Sequence, residues 1–256
     1  MSQQQLTFTA LPEIPLIRPG DDLVAIILAG LDAAGVTLLD GDVIVVGQKI
    51  ISTAEGRFVD LEQIHPSPEA DALAEETGKD PRLVELILRE SAEVLRKREN
   101  LIIVEHRLGF VCANAGIDHS NVENEEDGEW VLLLPEDPEM SARELRDGFR
   151  TANGVEVGVL INDSHGRSWR MGTVGVCIGV AGFPAVVDLR GQKDLFGYTL
   201  RSTVIGLADE IAAGASALMG QADERQPVIH VRGLPYPLRE GSLSEILREK
   251  ELDLFR

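Results

Sequence analysis

The sequence predicts an α+β fold built from mixed and antiparallel sheets with helices. Segments typical of strands and of helices are mixed along the 256 residues, without the strict alternation that a doubly wound parallel sheet requires. None of the predicted strands is followed by a dinucleotide-binding or Walker-type glycine motif. The length is enough for one large domain or two small lobes with a substantial core.

The predicted strands are apolar runs that are rich in β-branched residues. A turn at Asp40 and Gly41 precedes one of them, and two prolines end another. The run at 155–163 is predicted to be the central strand, and it ends abruptly in polar residues. On this basis strands are predicted at 41–50, 101–106, 109–117, 129–138, 155–163, 172–182, 184–188 and 227–233.

The predicted helices show apolar residues at helical spacing or a recognisable first turn. Leu23, Ile26, Ile27 and Leu31 share one helical face after an acidic start. Ser141 and Glu144 form a capping box, which predicts that a short helix begins there. Helices are predicted at 21–34, 67–99, 141–149 and 202–219, followed by a terminal helix capped by Ser242, and 52–61 is predicted to be a polar loop.

The net charge of −19 and the composition restrict the classes of function. Such acidity argues against a general nucleic-acid coat, and it means that a phosphate-bearing ligand needs metal ions or a local cluster of donors. No apolar run reaches the roughly 18–20 residues of a membrane span, and the N-terminus lacks the pattern of a signal peptide. We therefore expect a cytoplasmic protein without nucleic-acid or membrane partners. Cys112 and Cys177 lie in apolar runs and are interpreted as small buried hydrophobes.

Polar residues follow the predicted strand at 109–117. Asp118 and Asn121 are three residues apart, as in a turn, and their oxygens suit a hard cation or the polar edge of a ligand. An Asx turn, in which Asp118 only caps the local backbone, explains the same spacing. Both interpretations remain open from these residues alone.

A second polar cluster comes at the end of the predicted central strand, where the sequence reads NDSHGRSWR. Asp163 and Ser164 offer a carboxylate and a hydroxyl, which bind Mg²⁺ when waters and substrate phosphates complete its coordination. Arg167 and Arg170 are candidate clamps for phosphate or carboxylate, and the alternative is a polar turn with local ion pairs. His165 is interpreted as a bystander, because a lone loop histidine is more often neither a metal ligand nor a base.

Two further polar segments lie nearer the C-terminus. The segment 188–203 carries a dense charge pattern in which Arg190 is a candidate clamp for an anionic substrate. Surface ion pairs in a solvated turn explain this pattern as well. Gly220 is a natural end for the helix predicted at 202–219, and nothing local assigns a function to Gln221.

Two common classes of enzyme fit the sequence poorly. The chain has no GxSxG motif, so serine hydrolase chemistry is not indicated. Its five histidines and two cysteines are scattered without the spacing of zinc ligands. What remains is an acidic cation site with basic clamps, a combination that fits phosphate-nucleotide chemistry through a divalent metal.

Eight segments, in order along the chain, carry a resemblance to a known family. They read IPLIRPGDDL, GDVIVVGQKIISTAEGR, NAGIDHSNVE, LLLPEDPEMSA, NDSHGRSWRMGTVGVCIGVAG, DLRGQKDLFGYTLRST, ADEIAAGASALMGQ and PVIHVRG. Together they resemble the signature segments of the coenzyme F-420 gamma-glutamyl ligase family, over about residues 8–250. Because the chain stops at Arg256, it resembles the stand-alone form, without the nitroreductase-like domain that follows the ligase in some bacteria.

The resemblance implies a GTP-dependent amide ligase that adds L-glutamate to the deazaflavin precursor F-420-0. GTP phosphorylates the terminal carboxylate, and the amine of glutamate attacks the acyl phosphate, which releases GDP and phosphate. The first glutamate joins the lactyl carboxylate and later ones join through gamma linkages. The resemblance also implies two divalent cations, Mg²⁺ or Mn²⁺, and a monovalent K⁺. Residues 1–256 would form one catalytic unit of two intertwined lobes, in a homodimer that shares its sheets across the interface.

Carried over by motif, the resemblance implies roles for individual residues. Asp118 and Asp163 resemble the ligands of the first metal, and Ser164 and Gln221 resemble contacts to the second. No proton-transfer residue is implied. The residues that resemble nucleotide contacts are Ile14, Pro15, Leu16, Ile17, Gln48, Thr53, Asn121, Met219 and Gly220.

One position departs from the family pattern. The family segment usually reads ISKAEGR, with a lysine that contacts the nucleotide, whereas this chain has Thr53 in ISTAEGR. Lys49 lies four residues earlier and is expected on a strand, where its side chain can point in a different direction. The departure bears on nucleotide affinity. Two alternatives stay open, namely a ligase of the same fold that acts on another carboxylate and a non-catalytic protein that binds a deazaflavin or a nucleotide.

Overall fold

The computed structural model describes residues 4–119 and 128–254, in which helices are interleaved with four sheets. The strands are β1 (Thr7–Ala10), β2 (Val43–Gly47), β3 (Phe58–Asp60), β4 (Ser91–Arg98), β5 (Leu101–His106), β6 (Val111–Ala113), β7 (Trp130–Leu132), β8 (Gly158–Arg167), β9 (Arg170–Ala181), β10 (Val187–Asp188), β11 (Val204–Ile205) and β12 (Val228–Arg232). The helices are α1 (Leu23–Ala33), α2 (Gln48–Ala54), α3 (Pro68–Thr77), α4 (Pro81–Arg89), α5 (Pro138–Asn153) and α6 (Leu207–Met219). The predicted α+β class with mixed and antiparallel sheets is confirmed.

The principal sheet places its strands in the order β1-β12-β2-β8-β9. Neighbouring strands are antiparallel except β2 and β8, which are parallel with Gly47 opposite Asn162. Along β2, Ile44 packs into one apolar cluster and Val45 into another, because successive side chains point to opposite faces. Burial on both faces explains the continuous apolar run of this strand. The middle strand is therefore β2, and the prediction that β8 is central is wrong.

Helices cover both faces of the principal sheet. The larger apolar cluster takes side chains from α1, α3, α4 and α5 and extends to the three-stranded sheet β4-β5-β6. The smaller cluster forms where α6 packs through Leu207, Ile211 and Ala215. Cys112 and Cys177 are buried in these clusters, as predicted, and burial raises the pKa of both thiols. Along the described ranges, none of the helices is both long and apolar enough to cross a membrane.

The long helix predicted at 67–99 is wrong in its last part. α3 stops at Gly78, which has a left-handed φ of 67°, and α4 stops before Glu90. The residues that follow form β4, which pairs antiparallel with β5. Local spacing favours a helix there, but β5 supplies a ladder of backbone partners, and such tertiary context overrides weak helix propensity.

The sequence pattern does not predict α2. Residues 41–50 are predicted as a strand and 52–61 as a loop, but β2 ends at Gly47 and the chain enters a helix at Gln48. Ile51 is buried with Gln48, at the spacing of one helical face. A helix of seven residues is too short for hydrophobic periodicity to identify it.

α5 begins before the predicted capping box, so the prediction of a cap at Ser141 is wrong. Asp137 is the cap, and its carboxylate accepts a hydrogen bond from the Met140 N–H at 2.9 Å. The Ser141 hydroxyl donates instead to Glu55 at 2.6 Å. Pro138 stands in the first turn, where its fixed φ favours the helix and its missing N–H costs nothing.

Other predicted elements are shorter in the structure. The helix predicted at 202–219 begins at Leu207, and Ser242 caps a single 3₁₀ turn rather than a longer helix. The strands observed within 109–117, 129–138 and 184–188 have three, three and two residues. These strands extend only as far as their hydrogen-bonding partners, which local composition does not reveal.

Candidate functional site

The candidate site lies where β2 ends beside β8. Because these strands are parallel and Gly47 lies opposite Asn162, the residues that follow, Gln48 and Asp163, are brought side by side. Gln48 begins α2, whereas β8 continues to Arg167 as the antiparallel partner of β9. The polar residues at the end of the predicted strand belong to β8. They continue the strand because β9 supplies backbone partners as far as Arg167.

Asp118 reaches this site from a neighbouring segment. A backbone bridge to Leu132 of β7 holds it, with both N–H···O hydrogen bonds at 2.9 Å. Asp118 Oδ2 accepts a hydrogen bond from Gln48 Nε2 at 2.7 Å, and Lys49 Nζ lies 3.7 Å from the same oxygen. Gln48 Oε1 in turn accepts from the Ser52 hydroxyl at 3.0 Å. We refer to Gln48, Lys49, Asp118 and Asp163 as the carboxylate centre.

The charge of Asp163 affects the Asp118 carboxyl group within the carboxylate centre. Burial raises the pKa of Asp118 above its ordinary value, the Lys49 ammonium lowers it, and the negative charge of Asp163 raises it again. Asp118 and Asp163 are therefore close enough for their charges to interact, which spacing along the chain could not show. A divalent cation bound to both would offset this repulsion.

Asp163 is held at both oxygens of its carboxylate. Oδ1 accepts a hydrogen bond from the Ser164 N–H at 2.7 Å, and Oδ2 lies 2.9 Å from His165 Nε2. The interpretation of His165 as a loop bystander is wrong in its structural part, because this residue is on β8 and on the same face as Asp163. Phe110 packs against the His165 ring with centroids 5.3 Å apart. Because the predicted strand ends at residue 163, the sequence did not indicate this pair. On a strand that continues to Arg167, a spacing of two residues places both side chains on one face.

Asn162 and Ser164 project from the opposite face of β8, toward α6. Asn162 Nδ2 lies 3.4 Å from Met219 Sδ at the end of that helix. Ser164 lies opposite Gly175, where a Cβ would come within 2.6 Å of the Ser216 Cβ. The Ser164 side chain, predicted to contact the second metal, therefore does not share a face with Asp163.

Gln221 and Gly220 follow the end of α6. Gln221 is exposed, and its Nε2 lies 3.4 Å from Ser216 Oγ. Gly220 has a φ of 73°, a conformation that favours glycine, and the Glu224 side chain packs against it. The structure thus places the predicted contacts around 219–221 on the α6 side of β8.

The predicted nucleotide segment at 14–17 lies before α1 and has no regular secondary structure. Ile14 and Ile17 pack against the larger apolar cluster. The N–H of Gly20 donates to the carbonyl of Ala54 at 2.8 Å, at the end of α2. This hydrogen bond ties the chain just after the segment to the helix that also carries Gln48 and Lys49 of the carboxylate centre.

Lys49 and Thr53 lie on the same helix, so the expectation that Lys49 is on a strand is wrong. The two residues are separated by about one helical turn and share a face of α2. The chain therefore presents an ammonium group one turn from the position where the family pattern has its lysine. Asn121, the remaining predicted nucleotide contact, lies outside the described residues.

The three candidate arginine clamps are exposed. Arg167 and Arg170 flank the tip of the β8–β9 hairpin, where Trp169 has a φ of 64°. Arg190 forms a two-pronged ion pair with Asp188, with Nε–Oδ1 at 2.9 Å and Nη2–Oδ2 at 2.6 Å, and this pair holds the pKa of Asp188 at about 2. The role of these arginines as clamps stays a prediction.

A cation at this site would have to be a hard ion that arrives with oxygens of its own. Within residues 4–119 and 128–254, no three His, Cys, Asp or Glu side chains converge as a complete metal site. An ion at the carboxylate centre would need amide, water or phosphate oxygens as well. Mg²⁺ is commonly bound in this way, by one or two carboxylates together with substrate phosphates, whereas zinc is not. The fold and the site thus define an α+β protein that gathers two carboxylates and an ammonium group near the end of its parallel strand pair.

Comparison with known proteins identifies the family. Residues 12–233 match the family described as F420-0:Gamma-glutamyl ligase. The chain is 49% identical to the coenzyme F420:L-glutamate ligase of Methanothermobacter thermautotrophicus, over 95% of this chain and 96% of that protein. The corresponding enzymes of Methanopyrus kandleri and Archaeoglobus fulgidus are 46% and 45% identical, each over 93% of its length and over 94% and 95% of this chain. The chain belongs to the F420-0:gamma-glutamyl ligase family, which confirms the resemblance carried by its motifs.

Proposed function

We propose that this protein is a GTP- and divalent-metal-dependent ligase that adds L-glutamate to coenzyme F-420-0. The first glutamate joins the lactyl carboxylate, and later ones join through gamma linkages. The names of relatives that are 49% and 46% identical support the substrates. The observation that carries the proposal is the carboxylate centre, in which Gln48 and Lys49 hold Asp118 at the end of the strand pair that also positions Asp163.

The reaction needs activation, because the oxygen of a carboxylate is a poor leaving group. Transfer of the γ-phosphoryl group of GTP to a carboxylate oxygen forms an acyl phosphate and GDP. The amine of glutamate then attacks the acyl carbon, the C–O bond to phosphate breaks, and the nitrogen loses a proton as the amide forms. The site must gather three anionic reactants, so its main task is to offset their repulsion.

Asp118 and Asp163 would hold the first Mg²⁺ or Mn²⁺, and Ser164 and Gln221 would contact the second. When bound, such ions neutralise the charge that develops on the transferred phosphoryl group. β2 pairs with β8 only as far as Asn162. We infer that a ligand beside β8 beyond that point contacts residues from both faces of the strand. A monovalent K⁺ completes the proposed set of cations, with no residues assigned to it.

Lys49 supplies a positive charge to the site. Its ammonium lies 3.7 Å from Asp118, and its side chain is 31% exposed. We infer that Lys49 contacts the nucleotide phosphates in place of the lysine that Thr53 replaces. Gln48, Met219, Gly220 and the segment 14–17 stay predicted nucleotide contacts.

We also propose a homodimer of two-lobed chains whose sheets meet across the interface. We call residues 167–171, at the tip of the β8–β9 hairpin, the hairpin arm. Trp169 and Met171 in the arm are 89% and 95% exposed, and Leu195 and Phe196 in the loop after β10 are 91% and 92% exposed. Large apolar side chains on projecting segments are typical of surfaces that become buried against a second chain.

The product mass spectrum tests the proposed reaction. The protein is incubated with F-420-0, L-glutamate, GTP and Mg²⁺ or Mn²⁺, and glutamylated product and GDP are both measured. We expect both products only when all components are present. Asp163→Asn should lower the rate at least about 100-fold, since a metal ligand supports several kcal/mol of charge stabilisation. Asp71→Asn, which changes an exposed carboxylate on α3, is the matched control and should leave the rate unchanged.

Two outcomes would contradict the proposal. Formation of GDP with another carboxylic acid, but not with F-420-0, would show a ligase of the same fold with a different acceptor. Tight binding of the deazaflavin or of GTP without any turnover would show a non-catalytic binding protein.

A further inference from the structure

We propose that His165 is a positioning residue that fixes the orientation of the Asp163 carboxylate for metal binding. The inference rests on the proposed function, in which Asp163 is a metal ligand. It gives a task to a side chain that the ligase chemistry does not otherwise use. The contact that carries it is the one between His165 Nε2 and Asp163 Oδ2, at 2.9 Å.

The direction of this hydrogen bond follows from the chemistry of its partners. An ionised carboxylate only accepts hydrogen bonds, so His165 Nε2 carries the proton and donates it. The other carboxylate oxygen of Asp163 accepts the Ser164 N–H at 2.7 Å. With a donor at each oxygen, rotation of the carboxylate is restricted, while each oxygen keeps a lone pair for a cation.

The ring of His165 is itself held in place. Phe110 packs against it with centroids 5.3 Å apart and an angle of 47° between the rings. Phe110 also stacks on His106, at 5.3 Å and 6°, and these two side chains are 8% and 0% exposed. The Leu108 N–H donates to His106 Nδ1 at 3.1 Å, which fixes the buried end of this row of rings. Phe110, a member of the larger apolar cluster, thus orients His165 before any ligand binds.

The two carboxylates of the site are restrained by different means. Asp118 is anchored by its backbone bridge to Leu132 and by the Gln48 side chain. The Asp163 carboxylate has the His165 donor at Oδ2, and without it only the Ser164 N–H at Oδ1 restrains its rotation. A cation needs both carboxylates at once, so loss of orientation in one lowers its affinity. Hydrogen-bond partners of metal ligands typically contribute about 10–100-fold to metal affinity.

The test compares two substitutions of nearly equal size. His165→Gln keeps an N–H donor near the position of Nε2, whereas His165→Met keeps the volume without a donor. Mn²⁺ affinity is measured by electron paramagnetic resonance titration of the full chain, with and without a non-hydrolysable GTP analogue, so that binding is read apart from turnover. We expect His165→Met to weaken Mn²⁺ binding about 10–100-fold and His165→Gln to stay within about threefold of the unmodified protein.

Two further variants control for packing and for the loss of a histidine. His165→Phe keeps an aromatic ring against Phe110 without a donor, and it should match His165→Met. His65→Met changes an exposed histidine after the 3₁₀ turn at Leu61–Gln63 and should leave Mn²⁺ binding unchanged. Thermal unfolding shows which variants keep the fold. The Gln and Met pair decides the question if the Phe variant does not fold.

Three results would overturn the inference. Equal Mn²⁺ affinity in the Gln and Met variants would show that the donor does no positioning, and the metal site itself would stand. A strong ¹⁴N hyperfine coupling to Mn²⁺ that His165→Phe removes would show that His165 is a direct ligand. If Asp163→Asn binds Mn²⁺ as the unmodified protein does, the proposed metal role of Asp163 fails, and this inference fails with it.

Discussion

The carboxylate centre and the hairpin arm both include residues of β8, but they differ in burial and in bonding. In the centre, the Asp163 side chain is 15% exposed, and each of its oxygens has a donor. In the arm, Trp169 is 89% exposed, and Arg167 Nη1 lies 3.5 Å from the Gly172 carbonyl. A preorganised centre binds its ligand with little reordering, whereas an exposed arm takes its final arrangement only against a partner or a substrate.

The difference follows from the neighbours of each half of β8. As far as Asn162 the strand pairs with both β2 and β9, and apolar clusters cover both of its faces. Beyond that point β9 alone continues beside it, out to Arg167. The inner half of β8 is therefore buried, and charges interact strongly there. The outer half projects from the sheet, where a second chain can cover its large side chains.

The largest effect short of removing a carboxylate is expected at Lys49. Lys49→Met removes the ammonium that lies beside Asp118, and we expect GTP affinity to fall about 10–100-fold, since a charge-assisted hydrogen bond contributes about 1.5–3 kcal/mol. Thr53→Lys should raise the affinity. Calorimetric titration with Mg²⁺ and GTP measures both, and Lys97→Met, an exposed residue of β4, is the control. Unchanged affinity in Lys49→Met would show that this lysine only neutralises Asp118.

The next effect concerns the hairpin arm. Trp169→Ser removes a large exposed apolar side chain, and we expect the dissociation constant of the homodimer to rise about 30-fold or more, as when an interface hot spot worth about 2 kcal/mol is lost. Light scattering over a dilution series measures the mass. Leu39→Ser, an exposed apolar residue between α1 and β2, should not change it. A monomeric mass for the unmodified protein at every concentration would contradict the homodimer.

The same contrast explains which features the sequence could predict. α1 follows from local signals, since Asp22 caps it and Leu23, Ile27 and Leu31 are buried on one face. β4 and the outer half of β8 do not, because they are strands only by virtue of the partners beside them. Local pattern favours a helix for the first and a polar turn for the second.

The candidate site divides in a similar way. Asp118 and Asp163 are indicated by family resemblance, and their spacing alone leaves a polar turn as an alternative. The hydrogen bond from Gln48 to Asp118 joins residues that are 70 positions apart, so no local pattern contains it. His165 could have been identified only if the length of β8 had been known, because the strand is what places it on the same face as Asp163.

The smallest effect on activity is expected at Glu90, which lies beside His106, the buried end of the row of rings formed by His106, Phe110 and His165. Its Oε2 lies 3.7 Å from His106 Nε2, 2.9 Å from Arg107 Nε and 3.5 Å from Arg57 Nη2. Burial alone would raise the pKa of Glu90, but these three neighbours outweigh it and hold the pKa at about 2. Because this value is below the ordinary 4.5, the ionised form stabilises the fold.

Glu90→Gln should therefore lower the free energy of unfolding by about 2–3 kcal/mol at pH 7. The deficit should shrink as the pH falls from about 4.5 toward 2, because protonation then removes the same charge from the unmodified protein. Urea unfolding at several pH values measures this difference, and Glu69→Gln, an exposed residue in the first turn of α3, is the control. At neutral pH the ligation rate of the folded variant should stay close to that of the unmodified protein. Glu90 contacts His106, Arg107 and Arg57, which are not residues of the carboxylate centre. A deficit of the same size at pH 3 and pH 7 would show that Glu90 contributes by packing rather than by charge.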